Sequence, residues 1–356
     1  MRSQEIYVRE PKTEKELMTF IRFPWKIYKG DRYWVPPLIK DHLKKFSLNN
    51  PFRSHSDMIF FLACQGENTL GRVAGIIDHN YIAFRQEKVG FFGFFESIPD
   101  IDVAGKLLSK VEVWLRGHGM EKMIGPMNPS TNDECGLLID GFDASPCLMM
   151  PYNPRYYPSL LEEFGLEEAM DLYAYWIEKS PALYNRLNRI TERLMKKEPQ
   201  LFVRPLNFRF FDEELKIIKE IYNHAWIKNW GFVPLTEAEI DDMARALKPI
   251  IVPDLILFAY WGEEPVGISV SLPDYNEVLK HLNGKIGLLG GLKFLYFSRK
   301  IKTIRWMLLG IKQAFQKKGV EALLYSETFK RGIEKGSSTC RMFLDSPRQS
   351  SDAERY

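Results

Sequence analysis

Apolar runs broken by short polar turns organise this chain. Phe61 to Asp78 reads FLACQGENTLGRVAGIID: an apolar run, a break of Gly plus acid, and a second apolar run. That is the pattern of a β-hairpin. Leu257 to Asp274, LFAYWGEEPVGISVSLPD, repeats it 196 residues later, with Ala63, Gly66, Glu67 and Gly71 falling on Ala259, Gly262, Glu263 and Gly267. Four identities in register, with equal turn lengths, predict one architecture used twice.

The segments downstream of the two hairpins match as well. In the first half an apolar stretch, Val89 to Phe95, precedes a helix over Val103 to Leu115. Leu107, Val111, Trp114 and Leu115 share one face of it at helical spacing. Gly117 and Gly119 stop it, and a short strand, Lys122 to Gly125, comes next. In the second half the stretch is Ile304 to Gly310 and the helix Val320 to Ile333, with Ala322, Tyr325, Phe329 and Ile333 as its stripe and Gly336 as its stop. A strand, a helix and a strand in short order imply a parallel pair. The expected domains are 1–180 and 201–356. A charged helix within 178–200 either joins them or opens the second. Tyr152 to Tyr157, a helix, Phe164-Gly165-Leu166 and an apolar strand, Leu172 to Ile177, are expected to close the first. The tyrosines there, with Tyr173 and Tyr175, line a groove or pack half-buried.

Bulk properties narrow the function. A length of 356 residues exceeds what one core holds, which agrees with two domains. A net charge of +3 with dispersed basic residues argues against a nucleic-acid partner. No run approaches the roughly 20 apolar residues of a transmembrane helix, and the first residues carry no apolar signal core. The four cysteines form no CxxC pair and the six histidines no metal-binding spacing, so reduced thiols, no metal and a cytoplasmic location are expected.

Three segments carry chemistry. Gln316-Lys317-Lys318-Gly319-Val320-Glu321-Ala322 opens the second helix directly after a strand. A pyrophosphate needs several N–H donors in a positive field, which a glycine-led helix start supplies. The first-half counterpart, Glu96 to Asp102, holds three acids that would repel one. Gly125 to Asp143 comes after a parallel strand, where open α/β sheets bind ligands. There Asn128, Ser130, Thr131 and Asn132 are candidate substrate contacts. Asp133 and Glu134 are candidate bases if burial raises their pKa. The same residue types also build plain turns, and both readings stand. Residues 287–300, GLLGGLKFLYFSRK, are apolar and then basic. They fit weak membrane-surface contact, a cover for an acyl chain, or a buried insertion helix of the second domain.

The hairpin, the strand and the Gln316–Ala322 loop together resemble the GNAT superfamily of acyl-CoA N-acyltransferases. Gln316 and Gly319 match the family's Q/R-x-x-G-x-G/A loop, whereas Glu321 stands where Gly or Ala is usual. The chain also resembles an uncharacterised bacterial subfamily through Trp34-Val35-Pro36-Pro37, Asn50-Pro51-Phe52 and Gly125 to Glu134. The resemblance implies an α/β fold of two tandem GNAT-like domains, with mixed twisted sheets flanked by helices. It implies transfer of an acyl group, acetyl or another, from coenzyme A to an amine on a small molecule or lipid. Leu309 and Gly310 would then pair with the pantetheine, and Gln316 to Ala322 would hold the pyrophosphate. An aminoacyl or long-chain acyl transferase and a non-catalytic acyl-CoA-binding module are the alternatives. The family's second domain continues past Gly336 with a strand, a helix and two more strands. Here CRMFLDSPRQSSDAERY stands instead, polar and unpatterned. The expectation is a second domain incomplete at its C-terminus, with an unpaired sheet edge, after a shift of reading frame near Thr339.

Overall fold

The computed structural model describes residues 5–344 apart from Lys179 and Ser338. The chain divides into two compact units, Met1–Met170 with Leu279–Leu295, and Asp171–Val278 with Tyr296–Tyr356.

The first unit is built on a sheet of five strands in sequence order: β1 (Tyr7–Arg9), β2 (Ser56–Gln65), β3 (Asn68–Asp78), β4 (Val89–Ser97) and β5 (Lys122–Ile124). The first three pairings are antiparallel and the last is parallel. The helix Ile101–Gly117 makes the crossover and buries Val103, Leu107, Leu108, Val111 and Leu115 on the sheet. A two-stranded ribbon, β6 (Met127–Asn128) and β7 (Glu134–Cys135), comes after β5.

The second unit carries a six-stranded sheet. Its strands are β8 (Tyr173–Glu178), β9 (Leu201–Pro205), β10 (Ile256–Trp261), β11 (Glu264–Pro273), β12 (Thr303–Ile311) and β13 (Thr339–Leu344), in the order β8-β13-β12-β11-β10-β9. Only β12 and β13 run parallel.

The repeat holds at the level of single residues. Gly66 and Gly262 both open two-residue turns at positive φ, 59° and 63°. The register slips between Ala63 and Cys64 in the first hairpin and between Ala259 and Tyr260 in the second, 196 residues apart in both cases. Gly71 and Gly267 are shared for a reason of packing. A Cβ on Gly71 would lie 2.7 Å from Leu107 and one on Gly267 3.2 Å from both Leu324 and Val320, so each glycine lets the crossover helix rest on the sheet.

Several expectations need correction. The strand near Leu172–Ile177 does not close the first unit: as β8 it pairs antiparallel with β13 in the second sheet. It leads into the helix Pro181–Lys197, which packs on the helix Val320–Glu334 and so opens the second unit rather than bridging to it. The Val320–Glu334 helix rests on the sheet chiefly through Val320, Leu323, Leu324, Thr328 and Gly332, with Thr328 hydrogen-bonded to Ser269 and Gly332 against Ile304. Of the expected stripe, Ala322 is buried and Tyr325 packs on Trp306, whereas Phe329 and Ile333 are half-buried. Residues 287–300 contain the helix Leu288–Ser298, none of which is buried. Finally, the segment Thr339–Leu344 forms a strand, and β13 is paired on both sides. The rest of the expected incomplete terminus, with the reading-frame shift, falls on 345–356, outside the described residues.

Candidate functional site

Each unit contains a fork where two parallel strands part. In the second unit β12 and β13 stay in register from Thr303 with Thr339 to Trp306 with Met342. There β12 gains one residue relative to β11, since Val270 faces Leu308 while Ser271 faces Trp306, which leaves Met307 as a bulge. Beyond it, Leu309 and Gly310 pair with Ser269 and Ile268 of β11. Among the described residues β13 gives that part of β12 no partner on its other edge. Ser271 Oγ and Trp306 Nε1 stand at the fork, buried and without a hydrogen-bond partner. The face above Gly310 is filled: a Cβ there would lie 2.5 Å from Trp226.

The predicted anion loop lies just past this open edge. Gln316 Nε2 donates to the carbonyl of Ile311 at 3.3 Å. Lys317 and Gly319 are left-handed, at φ 61° and 89°, and Gly319 is the N-cap of the Val320–Glu334 helix with no side chain to cap it. The first N–H groups of a helix have no acceptor within it, and alternating backbone hands point successive amides to one side. Lys318 lies over the rings of Phe315 and Trp261, whereas Lys312 is neutralised by Glu220 at 2.7 Å and Glu264 at 3.2 Å. Two details differ from the sequence reading. A Cβ on Gly319 would meet Leu194 at 2.8 Å, so glycine is already demanded here by the backbone and by the neighbouring helix. Glu321 places a carboxylate in the first turn, with a buried Oε2 that has no hydrogen-bond partner.

The fork of the first unit is filled. β4 and β5 pair only from Val89 with Lys122 to Phe91 with Ile124, and β4 then gains a residue relative to β3. The bulge centres on Phe94, at φ 48°. The chain after β5 enters the gap so closely that a Cβ on Gly93 would lie 1.7 Å from the carbonyl oxygen of Met127. Phe94 N–H donates to Asn128 Oδ1 at 2.6 Å, and Asn128 Nδ2 donates to Glu134 Oε1 at 3.1 Å. Lys45, on the helix Ile39–Phe46, donates to the carbonyl of Asn128 at 2.9 Å and to Asp133 Oδ1 at 2.8 Å. Ser130 Oγ donates to Asp133 Oδ2 and accepts from Asn132 N–H, and the Thr131 carbonyl faces the Cys135 thiol. Five of the six predicted residues, Asn128, Ser130, Asn132, Asp133 and Glu134, therefore gather into one network through Lys45 and their own bonds, with Thr131 beside them against Cys135. Burial raises the Glu134 carboxyl above its ordinary range, against the pull of Lys45 and Asn128.

Behind that network is a cluster that sequence reasoning missed. Glu96 is buried, accepts from Tyr157 OH at 2.7 Å and lies 3.6 Å from the Arg72 guanidinium, with Tyr28 as a further hydrogen-bonding neighbour. Burial outweighs these charged and polar neighbours and pushes its carboxyl up to about 7. His42 is pushed down to about 3 by burial, Arg72 and Lys45, so its ring is neutral, and its Nδ1 is buried without a hydrogen-bond partner. Of the three acids expected to repel a pyrophosphate, Glu96 turns into the core and Asp100 caps the helix by accepting from Asp102 and Val103 N–H. The one available signal was Tyr157, in the aromatic segment. Tyr156 and Tyr157 bond inward to Ser97 and Glu96, while Tyr152 and Arg155 line a cleft of about 510 Å³ with Asp31, Tyr33 and Phe142. Chemically, the second unit offers a strand edge beside an anion cradle. The first offers one buried carboxyl, Glu96, able to exchange a proton near neutrality, and a second, Glu134, raised by burial.

No family model matches the chain. It is 33% identical over 319 residues to Protein YghO of Escherichia coli (strain K12), spanning 89% of this chain and 81% of that one. It is 34% identical over 311 residues to the bacterial ceramide synthase of Caulobacter vibrioides (strain NA1000 / CB15N), spanning 86% and 80%. Among solved structures it resembles a tandem GNAT protein from the clavulanic acid biosynthesis pathway, at a TM-score of 0.53 and 8% identity over 99% of this chain and 93% of that one. It also resembles a GCN5-related glucosamine N-acetyltransferase region within a fungal multi-domain β-N-acetylglucosaminidase, at 0.54 and 11% over 98% and 36%. At such identities these two likenesses speak for the fold alone.

Proposed function

The chain belongs to the tandem GNAT family that includes Protein YghO and the bacterial ceramide synthase, and from that premise we propose that it moves an acyl group from a coenzyme A thioester to an amine, with the thioester on the second unit. The observation that carries this reading is the difference between the two forks. Among the described residues the edge of β12 beyond Trp306 is open and runs into the Gln316–Ala322 helix start. The same place in the first unit is taken by Asn128.

In this reading the pantetheine pairs with the backbone of Leu309 and Gly310, and the pyrophosphate sits on the amides from Gln316 to Ala322 with Lys317 and Lys318 beside it. The amine nitrogen attacks the thioester carbonyl, the carbon–sulfur bond breaks and the thiolate leaves, while the amine's proton passes to a base and from it to the departing sulfur. Asn128, Ser130, Thr131 and Asn132 bind the acceptor, and Asp133 and Glu134 supply the base. One relative synthesises ceramide, an N-acylated long-chain amino alcohol, which favours a long acyl chain and a lipid amine.

Calorimetry with coenzyme A tests the donor site. Lys317→Ala with Lys318→Ala is expected to weaken binding at least tenfold, or about 1.4 kcal/mol, and equal affinity in the folded variant would overturn the assignment. A second reading, a binding module without turnover, is favoured by Glu321, whose charge opposes a pyrophosphate. Release of free thiol from palmitoyl-CoA in the presence of long-chain amino alcohols separates the two.

A further inference from the structure

We propose that the helix Leu288–Ser298 and its flanks dock on the surface of an anionic lipid bilayer. A helix apolar around its whole circumference belongs in a core or in lipid. In this one no residue is buried, Phe294 and Phe297 are half-buried, and four leucines stand in water: Leu288 exposed by 93%, Leu289 by 75%, Leu292 by 65% and Leu295 by 59%. Exposed leucines at this density form a contact surface rather than scattered surface residues.

Charge decides the occupant. From Lys285 to Lys302 the sequence contains Lys285, Lys293, Arg299, Lys300 and Lys302 and no Asp or Glu. Cations flanking an apolar helix complement anionic headgroups, while the leucines enter the acyl boundary. A second copy of the chain docked on this face would bring two sets of cations together. Eleven residues make a helix of about 16 Å, half the roughly 30 Å of a hydrocarbon core, so it lies in the plane of the surface. Among the described residues no helix is long and apolar enough to cross a membrane.

Co-sedimentation of the full chain with vesicles of phosphatidylcholine, alone or mixed with phosphatidylglycerol, tests this. The wild type is expected to bind the mixed vesicles and to release as salt rises. Lys293→Gln, Arg299→Gln and Lys300→Gln together should lower partitioning about a hundredfold, at about fivefold per charge. Leu288→Ser, Leu289→Ser and Leu292→Ser together should weaken it while leaving the melting curve unchanged, because those side chains are already in water. The proposal is overturned if the wild type ignores phosphatidylglycerol, or if both variants bind as it does. It is equally overturned if the wild type is an oligomer that the leucine variant converts to a monomer in vesicle-free buffer, since the occupant is then a second copy.

Discussion

The main-chain N–H of Phe94 donates to the side-chain oxygen of Asn128 at 2.6 Å. A donor at the bulge of a parting strand is thereby committed to the protein's own carboxamide. The other end of that carboxamide donates to Glu134, and its backbone carbonyl is held by Lys45. These three polar atoms of Asn128 each take a partner from a different part of the first unit, which makes it the keystone of the loop.

Asn128→Ala should therefore destabilise the first unit. It leaves the N–H of Phe94, a residue 4% exposed, without its acceptor and Glu134 without its donor. Orphaning buried groups of this kind costs about 1–3 kcal/mol. Urea unfolding reads the loss as a lower midpoint at constant slope. An unchanged midpoint would mean that water satisfies both groups and that the carboxamide holds nothing.

Gly319→Ala should cost stability in two parts. A left-handed φ of 89° is unfavourable for alanine by about 1–2 kcal/mol, and the new methyl meets the Leu194 tip at 2.8 Å. Leu194 is the flexible end of a side chain, so the second part is the smaller. In a double-mutant cycle the glycine substitution should cost less in a Leu194→Ala background. Strict additivity would show that the methyl never touches Leu194 and that backbone strain alone is at work.

The hairpins, the crossover helices and the helix start at Gly319 were legible because each is local. Periodicity, turn glycines and helix stops lie within a few residues of what they determine. The slip after Ala63 recurring after Ala259 shows how far that reading reached. β8 was misread because the pattern of Tyr173–Glu178 says strand but not which sheet, and its partner β13 lies more than 160 residues away. The Glu96 cluster was missed for a similar reason. Arg72, Glu96 and Tyr157 come from three distant segments, and an acid before a helix looks like a cap until burial turns it inward. Gly319 was found for the right position and given only part of its reason, since Leu194 is invisible in the local sequence.

Glu134→Gln separates acceptor chemistry from donor binding. If Glu134 takes the amine's proton, removing the carboxylate should lower turnover by a factor on the order of 10²–10⁴ and leave coenzyme A affinity unchanged. Steady-state thiol release and calorimetry on the same preparation give both quantities. A variant that keeps full rate reduces the loop to a turn held by Lys45. The wild-type rate should also rise with pH through a range above the ordinary glutamate pKa, because burial raises the Glu134 carboxyl.

Glu96 gives stability a pH dependence of defined sign. Its carboxyl is raised from the ordinary 4.5 to about 7 in the folded chain, first by burial, with Arg72 and the tyrosine hydrogen bonds pulling the other way. Between those values the folded state keeps a proton that the unfolded state has released. Stability from this group is therefore complete below about pH 4.5 and is lost as pH rises through 7. The size is on the order of 3 kcal/mol, at 1.36 kcal/mol per unit. Glu134 is raised as well and slopes the same way. Glu96→Gln stays neutral and its amide oxygen still accepts from Tyr157. The variant should match the wild type near pH 4.5, exceed it at about pH 8, and show a flatter profile between. Chemical denaturation across that range gives the difference curve directly. Parallel profiles for the two proteins would place Glu96 at an ordinary pKa and make the Arg72 contact a true ion pair. A wild type that gains stability over the variant as pH rises would reverse the sign and mean that Arg72 prevails over burial.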